Sequence, residues 1–186
     1  MYSHKLIIKG LEKTDLVTRV EWFNHPSIYE YMLVETPITI ADTEAWFIKN
    51  RLTTSRKDFV CSDQNSNQSL AMGGLTDISL KHSRAELYIL VNPFEQGKGI
   101  GRRFIQWLCN YGFKVLNLNR IYLYSMENNQ KARDLYQQLG FCYEGLLKQH
   151  VFHQGRFHDK YIYGMLRSNW DTKKEVNINS LLELNC

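Results

Sequence analysis

Residues 85–101 read AELYILVNPFEQGKGIG. Ala85 to Val91 is an unbroken run of aliphatic and aromatic side chains around one carboxylate, the strongest strand signal in the chain. Asn92-Pro93 ends it, because proline lacks an N–H and restricts the residue before it. Gln96 to Gly101 is a glycine-rich loop. Behind it Ile100, Phe104, Leu108, Tyr111 and Val115 recur at helical spacing, which predicts one long helix. Glycines let several backbone N–H groups face inward with no side chain in the way, and a helix N-terminus adds positive potential. The two together suit a phosphate or pyrophosphate; the plainer use is a tight helix start. A Walker loop needs Lys followed by Ser or Thr, whereas Lys98 precedes Gly99. A dinucleotide fingerprint needs a third glycine where Arg102 stands.

Downstream of this stretch, Arg120 to Ser125 reads as a strand. Asn129 opens a short helix with Ala132, Leu135, Tyr136 and Leu139 on one side, and Gly140 ends it. Residues 141–153 and 156–166 form a hairpin around Gln154-Gly155. Upstream, Phe59 to Ser62 and Ser69 to Ser79 are strands joined by the polar stretch Asp63 to Gln68, and residues 5–9 are a first strand. Asp15 is placed to cap a helix carrying Leu16, Val20 and Phe23, which Asn24-His25-Pro26 stops. Thr39 is placed to cap a second, with Ala41, Ala45, Ile48 and Leu52 lining one face. Strand and helix alternate only in the middle of the order β-α-α-β-β-β-α-β-α-β-β, which predicts an α+β fold. Residues 1–170 read as a single domain and 171–186 as a tail.

A chain of 186 residues is one ordinary domain, and its 44% hydrophobic and 23% charged content excludes disordered and fibrous classes. No apolar run approaches the ~18 residues of a spanning helix, and Met1 to Gly10 lacks the pattern of a secretory signal. Cys61, Cys109, Cys142 and Cys186 are scattered, which fits reduced thiols in a cytoplasm. The net charge of +4 is spread out, without the basic stripe and interleaved aromatics of a nucleic-acid surface. His150, His153 and His158 lie on strands and a turn and lack the helical HExxH form, so no metal is predicted.

The string QGKGIG, preceded by AELYILVNP, resembles the acyl-CoA-binding motif of the GNAT superfamily of N-acetyltransferases, through Gln96, Gly99 and Gly101. NQKARDLYQQLGF is similar to a second motif of that fold, through Asn129, Ala132, Leu135, Tyr136, Gly140 and Phe141. Residues 81–166 look most like spermidine N-acetyltransferases and, less closely, ribosomal-protein N-terminal acetyltransferases; the EWFNHPSIYEYM run also resembles amino-sugar N-acetyltransferases. The resemblance implies a mixed central sheet flanked by helices and splayed between its fourth and fifth strands. It implies acetyl-CoA as cosubstrate and direct attack by a primary amine, a spermidine-like polyamine first. An amino sugar, a protein N-terminus or a non-catalytic acyl-CoA sensor are the alternatives. It also implies a homo-oligomer, a dimer or larger.

By the same resemblance, the cosubstrate lies along Ile89, Leu90 and Val91, over Gln96, Gly97, Lys98, Gly99, Ile100, Gly101 and Arg102, and against Asn129, Ala132 and Tyr136. Tyr136 would protonate the leaving thiolate, whereas its spacing alone favours core packing beside Ala132, Leu135 and Leu139. Glu86 is the candidate base or water-holder, with an ion pair to Arg84 as its other use. Asn129 serves as a helix cap, a pantetheine contact, or both. Tyr31, Glu35, Tyr88 and Phe152 are the candidate acceptor residues. Where polyamine enzymes carry an acid-rich stretch, residues 34–50 offer only Glu35, Asp42 and Glu44.

Overall fold

The computed structural model describes residues 5–32, 34 and 37–170. In chain order they form β1 (Leu6–Gly10), a 3-10 turn (Lys13–Asp15), α1 (Leu16–Phe23), α2 (Pro26–Tyr29) and α3 (Ile40–Asn50). Then come β2 (Lys57–Asp63), β3 (Ser69–Ser79), β4 (Arg84–Val91), α4 (Ile100–Asn110) and a π-helical turn (Tyr111–Val115). β5 (Arg120–Met126), α5 (Gln130–Gln138), β6 (Cys142–His153) and β7 (Arg156–Leu166) follow. The expected tail, 171–186, lies outside the described residues.

One seven-stranded sheet runs β1-β2-β3-β4-β5-β7-β6. Each neighbouring pair is antiparallel except β4 and β5. Those two pair only at Arg84↔Arg120, Ala85↔Ile121 and Glu86↔Tyr122. β4 continues to Val91 and β5 to Met126, so beyond Glu86 the strands part. This is the splay expected between the fourth and fifth strands. The edge of β4 past Glu86 presents N–H and C=O groups that an inserted ligand can satisfy.

Alternation along β4 divides its side chains between two cores. Ala85 and Leu87 join Phe59, Leu75, Ile121 and Leu123 beneath Phe104, Ile105 and Leu108 of α4. Leu90 joins Val60 and Met72 against Trp22, Phe23 and Ile28. Close approach between strands and helix needs Gly73-Gly74 on β3. A Cβ at Gly73 would lie 2.6 Å from the Tyr88 carbonyl oxygen and 3.2 Å from Phe104 Cε1, and one at Gly74 2.0 Å from the Lys57 carbonyl oxygen.

Four local expectations are corrected. Asp15 does not cap α1 with its side chain; its carboxylate accepts the Glu12 N–H at 2.9 Å and closes the preceding turn. The buried face of α1 carries Leu16, Arg19, Trp22 and Phe23, with Val20 only partly covered. Asn24-His25-Pro26 does end α1, but Pro26 then opens α2, where a missing N–H costs nothing. Thr39 caps α3, its hydroxyl accepting the Asp42 N–H at 3.1 Å. Yet Ala41, Ala45, Ile48 and Leu52 face outward, Ile48 65% and Leu52 80% exposed. The helix turns Thr43, Trp46 and Phe47 inward instead, because two large rings bury more apolar area than the alanine stripe. Finally, the π turn at the end of α4 takes more residues per turn than an α-helix, which rotates Val115 into solvent.

The terminal hairpin turns as its sequence predicts. Gln154 and Gly155 both have positive φ, 50° and 80°, the requirement of a tight two-residue connection. At the C-terminal end of the described chain, Trp170 Nε1 donates to Asn110 Oδ1 at 2.8 Å.

Candidate active site

Gly97 and Gly99 sit in the left-handed region, each with φ of 79°, and nothing lies within 4 Å of a Cβ built on either. The loop is thus an open backbone surface. Gly99 caps α4, whose first turn carries no acidic residue to cancel its dipole. Gly101 lets α4 lie close to its neighbours, with Val91 Cγ2 3.3 Å and Leu135 Cδ2 3.7 Å from a Cβ placed there. Ile100 is buried and anchors the turn, while Gln96 and Lys98 are exposed at the rim. Lys98 pairs with Glu95 at 2.8 Å, and Arg102 donates to the Gln138 side chain, tying α4 to α5.

The cleft between β4 and β5 begins beside this loop. Ile89 and Val91 pack toward α4. Leu90 is buried in the opposite core, so only its backbone faces the cleft. Asn129 Oδ1 accepts the Ala132 N–H at 3.2 Å, which starts α5. Arg133 Nη1 donates to the carbonyls of Met126 at 2.9 Å and Glu127 at 2.5 Å, fixing that helix to the end of β5. Tyr136 is 8% exposed, its ring 6.1 Å from Phe141 and 6.3 Å from Tyr163 between centroids. Burial pushes its phenol up to about 12, so the proton stays in place at neutral pH. Core packing and a protonated hydroxyl therefore coexist in one residue.

Glu86 lies on the other face of the sheet, at the root of the splay. Arg84 is not its partner, since Arg84 pairs with Asp77 at 3.1 Å. Burial raises the Glu86 carboxyl above the ordinary glutamate range; Lys160 and Arg56 pull it down and Asp77 pushes it up. Lys160 stands on β7 opposite Met126, its Nζ 4.2 Å from the centre of the Tyr124 ring. Burial lowers its ammonium, partly offset by Glu86. No local spacing points to Lys160, because only the β5–β7 register brings its charge within electrostatic range of Glu86.

The candidate acceptor residues divide. Tyr88 donates its hydroxyl to Asp58 Oδ1, and burial raises that phenol to about 12. Tyr31 is partly buried, its phenol raised by burial and by Glu30. Glu35 lies outside the described residues. Phe152 projects from the final hairpin. It is 64% exposed on the final hairpin, edge to face with Phe157 at 5.2 Å. A strand alternation cannot report how far a hairpin projects past its sheet. His158 is buried, Nδ1 3.1 Å from Glu127 Oε1 and Nε2 3.1 Å from the His153 carbonyl oxygen, and so fastens this hairpin to the segment before α5. Among the described residues no group of three or more His, Cys, Asp or Glu is arranged to hold a metal ion.

The cleft between β4 and β5 opens just past Glu86, and Tyr136 lies buried on α5, the helix that follows β5. Comparison with known proteins meets this geometry. The family model described as "Acetyltransferase (GNAT) domain" matches residues 5–142. The chain is 31% identical over 173 residues to the spermidine N(1)-acetyltransferase of Vibrio cholerae serotype O1, covering 93% of this chain and 99% of that one. A crystal structure of the Vibrio cholerae spermidine N-acetyltransferase in complex with CoA and spermine superposes with a TM-score of 0.84 at 31% identity, over 88% of this chain and 96% of that one. A dodecameric structure of spermidine N-acetyltransferase from Vibrio cholerae superposes at 0.79, with 28% identity over 91% and 98%.

Proposed function

The chain belongs to the GNAT acetyltransferase family, and from that premise we propose that it transfers the acetyl group of acetyl-CoA to a primary amine of a spermidine-like polyamine. The observation that carries this reading is the β4–β5 cleft, which follows Glu86 on β4, together with the open glycine loop that precedes α4. The relatives named above act on spermidine, and one holds CoA and spermine.

The residues fit acetyl-CoA. The N–H groups of Gly97 to Gly101 and the N-terminus of α4 receive the diphosphate, with Lys98 and Arg102 at the rim. The free edge of Ile89 to Val91 and the segment at Asn129 and Ala132 receive the pantetheine arm. Acetyl-CoA supplies a thioester whose carbonyl carbon bonds to the amine nitrogen as its C–S bond breaks. Glu86 takes the proton the amine must lose, directly or through water, and Tyr136 gives its phenolic proton to the departing sulfur. Residues 1–170 act as one catalytic domain with 171–186 as its tail. The enzyme is a homo-oligomer, in line with the dodecameric relative. It works in the cytoplasm, in keeping with the free thiols of Cys61, Cys109 and Cys142.

Thiol release tests the reading. The purified chain with acetyl-CoA and spermidine is expected to yield CoASH and N-acetylspermidine in equal amounts. Intact acetyl-CoA binding with no release for spermidine, spermine or putrescine would sink it.

The pH profile tests the base. Glu86 acts ionised and burial raises it, so kcat rises with pH through a midpoint above the ordinary glutamate range. Lys160 pulls that midpoint down, so Lys160→Met is expected to move the acid limb to higher pH. The amine's own titration is common to both enzymes, so the difference belongs to the protein. Superimposable profiles for wild type and Lys160→Met would remove Lys160 from the site.

A further inference from the structure

Arg19 is only 8% exposed, yet its Nη1 has no hydrogen-bond partner among the described residues. Its guanidinium lies 4.4 Å from the Phe23 ring and 4.1 Å from the Trp46 ring. Arg56 flanks the same assembly, 4.8 Å from Trp46 and 5.0 Å from Tyr88. The carboxylate between them is already committed. Asp58 Oδ1 accepts the Tyr88 hydroxyl, and Arg56 Nε donates to both Asp58 oxygens at 2.9 and 2.7 Å. Two buried or half-buried cations thus share one anion, Arg19 also meets the Tyr88 hydroxyl, and the Nη1 donor of Arg19 is left over. An unpaired buried donor on a charged group is costly and calls for an explanation.

Polyamine acetylation leaves Arg19 unused, because a polyamine carries no oxygen to accept its hydrogen bond. We propose that Arg19 forms an acceptor subsite for an anionic oxygen group, a carboxylate or a phosphoryl, carried by a second class of primary-amine substrate. The subsite rests on the acetyl-transfer reading and extends its substrate range. Its place suits the chemistry. Tyr88, whose hydroxyl pairs with Arg19 by attraction and a side-chain hydrogen bond, lies two residues from Glu86 on the same face of β4, about 7 Å along the strand. An amine at Glu86 and an oxyanion at Arg19 would belong to a molecule with only a few bonds between them. The Phe23 and Trp46 rings hold the guanidinium flat and shield it from water, which strengthens its pairing with an oxyanion.

Steady-state acetyl transfer by the full chain, with 4-aminobutyrate, O-phosphoethanolamine, butylamine and spermidine at saturating acetyl-CoA, tests the subsite. The expected result is a kcat/KM at least about tenfold higher for one oxyanion-bearing amine than for butylamine, the size of one charge-assisted hydrogen bond. Which of the two responds distinguishes carboxylate from phosphoryl. Arg19→Met is expected to collapse that ratio by about tenfold, and Arg19→Lys to restore part of it. A wild-type ratio within about twofold of unity for both oxyanion amines, or a ratio that Arg19→Met leaves unchanged, overturns the proposal. If Arg19→Met does not fold by circular dichroism, the wild-type ratios and Arg19→Lys decide. If no amine releases CoASH, the acetyl-transfer reading falls, and calorimetric titration of wild type and Arg19→Lys with the two oxyanion amines decides the subsite alone. Heat of binding that weakens in the variant upholds it, and no binding overturns it.

Discussion

Tyr136→Phe is expected to lower kcat by roughly 10²- to 10⁴-fold, the usual worth of a positioned general acid. The substitution removes one hydroxyl and keeps the ring. The packing against Phe141 and Tyr163 is therefore retained, and so is the join between α5 and the sheet. Burial holds the phenol at about 12, so the wild-type proton is present throughout an ordinary assay range, and no alkaline loss of activity near neutrality comes from this group. The loss belongs to the transition state, since the leaving sulfur needs the proton only as the C–S bond breaks. Accordingly kcat and kcat/KM should fall together, while calorimetry shows CoA affinity little changed. Tyr136→Ala adds a packing defect and lowers the melting temperature as well. A Phe variant that turns over as fast as the parent would return Tyr136 to the core and leave the thiolate to protonation by water.

Phe104→Ala is expected to destabilise the fold by about 3–5 kcal/mol, a large part of the ~5–15 kcal/mol that holds a domain of this kind together. Phe104 is fully buried at the centre of the α4 interface and stacks on Trp107 at 6.4 Å. Its ring rests over Gly73, where a Cβ would come within 3.2 Å of it, so removing it opens a cavity beneath α4 that a glycine cannot fill. Urea unfolding followed by circular dichroism gives the number. Ile48→Ala, on the exposed side of α3, is the control and should stay within about 0.5 kcal/mol of wild type. A Phe104→Ala loss below about 1 kcal/mol would mean that α4 does not dock on the sheet as described. The same helix presents the glycine loop, so the variant is also expected to weaken acetyl-CoA binding.

The strand, glycine loop and helix at residues 85–110 were legible because their signals are local. An apolar run, a proline stop, two glycines in the left-handed region and a repeat of apolar positions all act within a few residues of one another. The Asn129 cap and the Gln154-Gly155 turn were legible for the same reason. The exposure of Phe152 was not, because it depends on how far the hairpin reaches beyond β5. The apolar stripe on α3 was misleading, since Ala41, Ala45, Ile48 and Leu52 have the right period but less area to bury than Trp46 and Phe47. Val115 failed where a single π turn broke the helical period.

By itself the sequence determined the order of the elements apart from the short α2, the glycine loop and the α5 motif with Tyr136, all set by backbone preferences and short-range spacing. Only the tertiary structure decided which charges meet. Lys160 acts on Glu86 through the register of β5 on β7, and Arg19 meets Trp46 and Tyr88 and feels Asp58 through the packing of α1 and α3 over the sheet. These partners are tens of residues apart in the chain, and what unites them is burial. The low dielectric there makes every unpaired charge matter, and nothing in a linear spacing measures it.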